Sequence, residues 1–149
     1  MPNILHRLSI DAPPERVHEL VATKEGVQRW WTPNPVTGDD SVGGRIAVYF
    51  SDLENAAAAF EIVERSPQRV VWRCVQGPLD WLGTRVTFTL EPWHEDGTTL
   101  LFSHQGWKEE NEFMSGCSSN WAAYLMGLKS GAEGHAFKPY PGGEISRWD

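Results

Sequence analysis

The sequence is poor in cysteine, in long apolar runs and in positive charge, and each shortage excludes a class of protein. Its 149 residues include only two cysteines, Cys74 and Cys117, which form no CxxC pair and no disulfide framework. No apolar run approaches the roughly 20 residues that a membrane-spanning helix needs. The chain carries 13 basic and 20 acidic residues, a net charge of −7, so we expect it to bind neither nucleic acid nor a membrane.

Motifs for cofactor and metal chemistry are also missing. The sequence has no GxGxxG, no phosphate-binding P-loop and no HExxH, and its five histidines lack the spacing of metal ligands. The segment from Gly116 to Asn120 is not a GxSxG nucleophile elbow. We therefore expect no cofactor and no metal. The first residues lack the apolar core of a signal peptide, and with reduced cysteines this predicts a cytoplasmic protein.

Tryptophan, in contrast, is abundant, with eight residues in the chain. A buried indole usually needs an acceptor for its N–H, so each tryptophan places a demand on its surroundings. One interpretation is a tryptophan-rich core, and the other is a pocket lined by aromatic rings. The two interpretations are compatible.

The apolar pattern predicts one domain over residues 1–149. Alternation predicts a strand over 3–10 and further strands between residues 45 and 105. Apolar residues at three- and four-residue steps predict a long helix over about 109–133, followed by an extended tail over 135–149. The resulting α+β chain has one helix large enough to cover an antiparallel sheet of six or seven strands. Incomplete interdigitation between that helix and the sheet would leave a cavity.

Two short helices are expected between the first strand and the rest of the sheet. Asp11 to Glu15 has the proline-containing pattern of a helix start, and Thr23 is placed to cap a second helix. That helix ends with Trp30 and Trp31. Because adjacent residues point in different directions on a helix, we expect one tryptophan to anchor the helix and the other to line an entrance or meet a partner.

The aromatic residues of the strands and of the long helix are the candidate lining of such a cavity. His104 ends the last strand on the apolar face, where it is either a general acid or base or a core histidine with a satisfied hydrogen bond. Tyr124 is the second catalytic candidate, provided that its hydroxyl points inward. The predicted ligand-binding residues are Trp31, Trp72, Phe88, Phe102, His104, Trp121, Tyr124 and Leu125.

Cys117 offers an alternative chemistry. If its thiol faced His104 across the cavity, the imidazole would favour a thiolate nucleophile. The competing interpretation is a small buried cysteine on the apolar stripe of a helix, which the absence of a third orienting group favours.

Several segments, in the right order, resemble one family. The chain resembles the SRPBCC (START-like, helix-grip) superfamily, and within it the activator of Hsp90 ATPase homologue 1-like (AHSA1-like) branch, from about residue 4 to 134. The matching features are the alanine–proline helix start, the tryptophan pair, the paired glycines before a strand, a strand–Pro–strand hairpin, the end of the last strand and the last helix. They lie at Ile10 to Val17, Lys24 to Pro33, Gly43 to Arg45, Glu64 to Trp72, Gly97 to Trp107 and Trp121 to Gly134.

The resemblance implies a helix-grip fold, in which a curved antiparallel sheet wraps around a long C-terminal helix. It implies three alternative functions. The first is binding of a small hydrophobic or amphipathic molecule, the second is a cyclase or hydrolase with His104 as acid or base, and the third is a co-chaperone that contacts an Hsp90-type ATPase. A homodimer formed through exposed Trp81 and the tail near Trp148 is a further expectation.

Overall fold

The protein folds as a seven-stranded antiparallel sheet with three helices, described by a computed structural model for residues 1–137 and residue 146. The strand order is β1-β7-β6-β5-β4-β3-β2, so β1 and β2 are the edges. The predicted α+β helix-grip architecture is confirmed. The elements are β1 (Ile4–Ile10), α1 (Pro14–Ala22), α2 (Lys24–Trp31), β2 (Thr37–Gly38), β3 (Arg45–Val48), β4 (Ala58–Ser66), β5 (Arg69–Gln76), a 3₁₀ turn (Leu79–Trp81), β6 (Arg85–Trp93), β7 (Gly97–Gln105) and α3 (Glu112–Ala132).

The helices begin where side chains can cap them. The Thr23 hydroxyl accepts the N–H of Gly26 at 2.9 Å, which confirms the predicted cap of α2. Helix α3 begins at Glu112, later than predicted, because the Asn111 side chain accepts the N–H of Met114 at 2.9 Å. The sequence before Asn111 is acidic and exposed, and it lies outside the helix.

The sheet curves where its pairing is irregular. The register between β4 and β5 shifts between Ala59 and Phe60 and again between Ile62 and Glu64. Such bulges increase the local twist of a strand. The aromatic residues of β5, β6 and β7 are buried on one face of this curved sheet. Trp72 and Phe88 contact the tryptophans of α2, and Phe102 contacts Trp121 of α3.

Helix α3 is joined to the first strand by a polar network at its C-terminal end. The Lys129 ammonium donates to the Ser9 carbonyl at 2.6 Å and to the Glu133 carboxylate at 2.7 Å. The same carboxylate accepts the backbone N–H of Asp11 at 2.7 Å. These contacts fix the axis of α3 across the sheet.

The interpretation that adjacent tryptophans of a helix cannot both face one core is wrong for Trp30 and Trp31. Trp30 and Trp31 are both 4% exposed, so both residues face the core. The last turn of α2 is covered on two sides, which lets adjacent side chains be buried together. Trp30 donates its indole N–H to the Leu20 carbonyl at 2.8 Å, while Trp31 stacks on Trp72 with centroids 5.9 Å apart.

Most of the predicted tail lies outside the described residues, as does Trp148. Three of its described residues contact α3, beginning with His135, which donates its backbone N–H to the Ser130 carbonyl at 2.9 Å. The Phe137 ring lies against Gly131, where a β-carbon would come within 2.1 Å of it. Ser146 exchanges two hydrogen bonds with the Asn120 side chain, at 2.8 and 3.0 Å.

Candidate functional site

A cavity of about 170 Å³ lies between the N-terminal half of α3 and the segments that face it. Helix α3 contributes one face to it, because its lining residues recur at three- and four-residue steps. Helix α2, the chain after β3 and the turn between β5 and β6 contribute one aromatic residue each. The lining residues are Trp31, Phe50, Trp81, Phe113, Cys117, Asn120, Trp121 and Tyr124.

The Phe50 wall is held by the segment that follows α2. The Asn34 amide donates to the carbonyls of Tyr49 at 3.0 Å and Phe50 at 2.5 Å, and the Thr32 hydroxyl also donates to the Tyr49 carbonyl. These bonds satisfy backbone groups that leave the sheet after β3. The Phe50 ring then meets Trp31 edge-on, with centroids 6.1 Å apart.

The Trp81 wall comes from the Trp81 turn, residues 77–83, which connects β5 to β6. Trp81 is half-buried and lies nearly parallel to Trp121, with an interplanar angle of 18° and centroids 6.2 Å apart. Its indole Nε1 is buried and has no acceptor among the described residues. The sequence predicts Trp81 as either an exposed or a lid-like aromatic; the structure places it half-buried in the cavity lining, with its ring against α3.

His104 lies beneath these walls, in the filled core. It is fully buried, and its Nδ1 accepts the indole N–H of Trp121 at 3.1 Å. Its Nε2 lies 2.7 Å from the Thr84 hydroxyl, and that hydroxyl donates to the Trp81 carbonyl at 2.5 Å. Burial lowers the pKa of His104 from its ordinary 6.5 to about 3, so the imidazole is neutral near pH 7.

The structure brings together some of the predicted site residues and separates others. Trp31, Trp121 and Tyr124 line the cavity. The other five predicted residues do not line it, because they interdigitate in the core below, where each is at most 2% exposed. These five are Trp72, Phe88, Phe102, His104 and Leu125.

Sequence reasoning did not assign Phe50, Phe113 or Asn120 to the lining. The recurrence of Phe113, Cys117, Trp121 and Tyr124 along α3 is readable from the sequence and could have located the helical wall. Phe50 continues the alternation of Ile46 and Val48, which predicts it on the buried face of a strand, but the strand ends at Val48 and Phe50 lies beyond it.

The predicted pairing of Cys117 with His104 does not form. Cys117 lines the cavity, whereas both ring nitrogens of His104 are engaged by Thr84 and Trp121. Among residues 1–137 and Ser146, no group of three His, Cys, Asp or Glu side chains is placed to hold a metal ion. Within the same residues, no helix is long and apolar enough to cross a membrane.

The curved antiparallel sheet and its long helix, with a cavity between them, define a helix-grip protein. The model of the family described as "Activator of Hsp90 ATPase homolog 1-like protein" matches residues 11–133. The chain therefore belongs to that family. No curated protein matches the sequence.

Solved structures of other proteins share the fold. The solution structure of the Aha1 dimer from Colwellia psychrerythraea is 32% identical, with a TM-score of 0.78 over 89% of this chain and 97% of that chain. An HSP90 activator from Plasmodium falciparum is 18% identical, with a TM-score of 0.66 over 85% of this chain and 92% of that one. DynU16, a putative protein in the dynemicin biosynthetic locus, is 20% identical, with a TM-score of 0.71 over 91% and 49%. The last two likenesses concern the fold alone.

Proposed function

We propose that the protein binds a small hydrophobic or amphipathic molecule in the cavity between α3 and the facing segments. The observation that carries this proposal is the lining, which combines five aromatic rings of Trp and Phe with Asn120 and Tyr124 at its polar positions. A mostly apolar pocket with a few polar groups is the usual form of a small-molecule site. The volume of about 170 Å³ is close to the roughly 150 Å³ of an engineered apolar cavity that binds benzene.

The volume and the lining together support one class of ligand. A flat molecule of one or two fused rings would suit a space of this volume lined by aromatic rings. The polar side of the lining consists of Tyr124 and of Asn120, whose amide already exchanges two hydrogen bonds with Ser146. A hydroxyl or carbonyl on that molecule would lie at this side. The neutral His104 lies outside this lining, so binding requires no acid or base from it.

Titration calorimetry with 2-naphthalenemethanol tests the proposal. We expect saturable 1:1 binding to the wild-type chain and loss of binding in Cys117→Leu, which places a larger side chain in the cavity. Met126→Leu on the exposed side of the same helix is the matched control and should bind like wild type. Equal binding by Cys117→Leu and wild type, or no binding by wild type, would contradict the proposal. Native mass spectrometry of the purified protein adds a second readout, a ligand mass that disappears on denaturation.

Co-chaperone activity is the second candidate. The 32% identity to an Aha1 protein, over nearly the whole of both chains, supports it. We propose contact with an Hsp90-type ATPase, tested by adding the purified protein to that ATPase and measuring its turnover. A concentration-dependent rise in ATP hydrolysis is expected, and an unchanged rate together with no detectable complex would exclude this role.

Homodimerisation is an extension of the same likeness, since the Colwellia structure is that of a dimer. Size-exclusion chromatography with light scattering tests it, and a monomer mass at high concentration would contradict it.

The cyclase or hydrolase alternative stays a prediction. Its acid–base step requires a histidine that can take and release a proton near neutral pH, and the engaged, buried His104 offers little support for it.

A further inference from the structure

The hydrogen bonds around His104 form a series in which every donor points the same way, from Trp121 toward Trp81. An indole N–H only donates, so His104 Nδ1 must be the acceptor of Trp121. The proton of the neutral imidazole is then on Nε2, which donates to the Thr84 hydroxyl oxygen. The Thr84 hydroxyl hydrogen remains for the Trp81 carbonyl. The donor and the acceptor of each of these three side-chain hydrogen bonds are therefore fixed.

The residues at the two ends of this series, Trp121 and Trp81, both line the cavity. Trp121 belongs to α3 and Trp81 to the Trp81 turn. No described hydrogen bond joins either tryptophan directly to the element that carries the other. The His104 ring also meets the Trp81 ring edge-on, with centroids 5.2 Å apart. His104 and Thr84 therefore connect the Trp121 indole to the Trp81 carbonyl through the core, and the His104 ring also touches the Trp81 ring.

The Trp81 turn depends on this connection because its other anchors are few. Leu79 is 78% exposed and Leu82 is 38% exposed, so the turn buries little besides Trp81. Gly77 and Gly83 flank it with φ angles of +149° and +81°. The contact from Asn111 to Asp80 is long, at 3.4 Å, and the remaining bonds of the turn are backbone bonds to Thr84, to Cys74 and within the turn.

We propose that Thr84 and His104 are positioning residues, which hold Trp81 against Trp121 and so limit the cavity to ligands of one or two fused rings. The inference rests on the ligand binding proposed above. Loss of the Thr84 hydroxyl would leave the Trp81 carbonyl with the Thr84 backbone N–H alone, at 3.0 Å. We expect the turn to move outward with this weaker hold, and a wider cavity would admit a larger ring system. A residue that served stability alone would change the melting temperature without changing which ligand is preferred.

Thr84→Val removes the hydroxyl and keeps the shape of the side chain. The chain supplies a matched control in Thr87, which is also buried and lies on β6, but whose hydroxyl has no partner among the described residues. Thr84→Ser keeps a hydroxyl and should restore the wild-type behaviour. The probes are 2-naphthalenemethanol and 9-anthracenemethanol, which differ by one fused ring.

The decisive quantity is the ratio between the calorimetric affinities for the two-ring probe and the three-ring probe. Wild type, Thr87→Val and Thr84→Ser should prefer the two-ring probe by at least about tenfold, the scale at which an apolar pocket discriminates size. In Thr84→Val the preference should fall to about threefold or less. An unchanged preference in Thr84→Val would overturn the inference and leave ligand binding intact. Failure of wild type to bind either probe would instead overturn the proposed function, and with it the inference.

A measurement on the wild-type chain keeps the inference testable if Thr84→Val does not fold. Nitrogen-15 chemical shifts of the His104 ring should show a protonated Nε2 and an unprotonated Nδ1. Addition of 2-naphthalenemethanol should shift the Trp81 and Trp121 indole resonances together. The opposite tautomer, or a response confined to one indole, would contradict the connection through His104.

Discussion

Two neighbouring regions of the molecule are built from the same kinds of side chain, yet one is filled and the other is hollow. In the filled region Trp72, Phe88 and Phe102 come from three paired strands, and their ring centroids are 4.9 and 5.4 Å apart. In the hollow region Phe50, Trp81 and Phe113 come from outside the strands or from a helix end. Strand register forces side chains to interdigitate, whereas segments that leave the sheet are free to stop short of the helix. The supporting element, rather than the aromatic content, decides where a cavity forms.

Truncation of one ring in each region should separate the two most clearly. Phe88→Ala removes a fully buried ring from the filled region and should lower the free energy of unfolding by about 3–5 kcal/mol. Phe50→Ala enlarges an existing space and should cost about 1–2 kcal/mol, because its ring is only half-buried. Chemical denaturation measures both values. Equal losses would mean that the hollow region is packed as tightly as the core.

The two cysteines provide the reverse comparison, by adding volume. Cys74→Leu overpacks the filled region, where Cys74 is 1% exposed, and should cost about 1–3 kcal/mol. Cys117→Leu places the same side chain at the cavity wall and should change stability by less than about 1 kcal/mol. Thermal unfolding of the two variants checks the order. A larger loss in Cys117→Leu than in Cys74→Leu would invert the comparison.

The third prediction concerns pH and uses His104, at the boundary of the two regions. Its pKa is about 3 in the folded chain and about 6.5 in the unfolded chain, so only the unfolded chain takes up its proton between these values. The stability contributed by His104 is therefore complete above pH 6.5 and is lost as the pH falls toward 3, with a slope of up to about 1.4 kcal/mol per pH unit.

Denaturation at several pH values measures that slope, and His104→Gln should remove its contribution. His6→Gln is the control, because burial also lowers the pKa of His6, against an opposing hydrogen bond to the Ser118 carbonyl. His6 is only half-buried, so its variant should keep most of the wild-type slope. If His104→Gln retains the full slope between pH 6.5 and 4, His104 is not the group responsible.

Much of the fold was predictable from the sequence because burial repeats with the period of each element. The alternation of Val86, Phe88 and Leu90 located β6, and Thr23 located the start of α2. Strand β2 was not predicted, since two exposed residues give no period. The long helix was predicted too early because acidic residues before Asn111 suit a helix locally.

The site was less predictable than the fold, and the reason is geometric. Apolar alternation tells which face of a strand is buried, and it placed Trp72, Phe88 and Phe102 correctly on the concave side. It does not tell whether the opposing helix reaches that face. The course of the chain after β3 and through the Trp81 turn helps to determine where space remains. The alternation of Ile46, Val48 and Phe50 does not show that the strand ends at Val48, and the Trp81 turn has no periodic pattern.

The network that joins α3 to the first strand has a consequence for the order of folding. Lys129 and Ser9 are 120 residues apart in the chain, and Asp11 and Glu133 are 122 apart. Contacts of such long separation form late, since loop closure must come before they stabilise anything. During synthesis the strands emerge before α3, and until that helix arrives their aromatic face is covered only in part, by the tryptophans of α2. Folding is therefore expected to finish at α3, and the interval before its arrival is when the nascent chain is most exposed to aggregation.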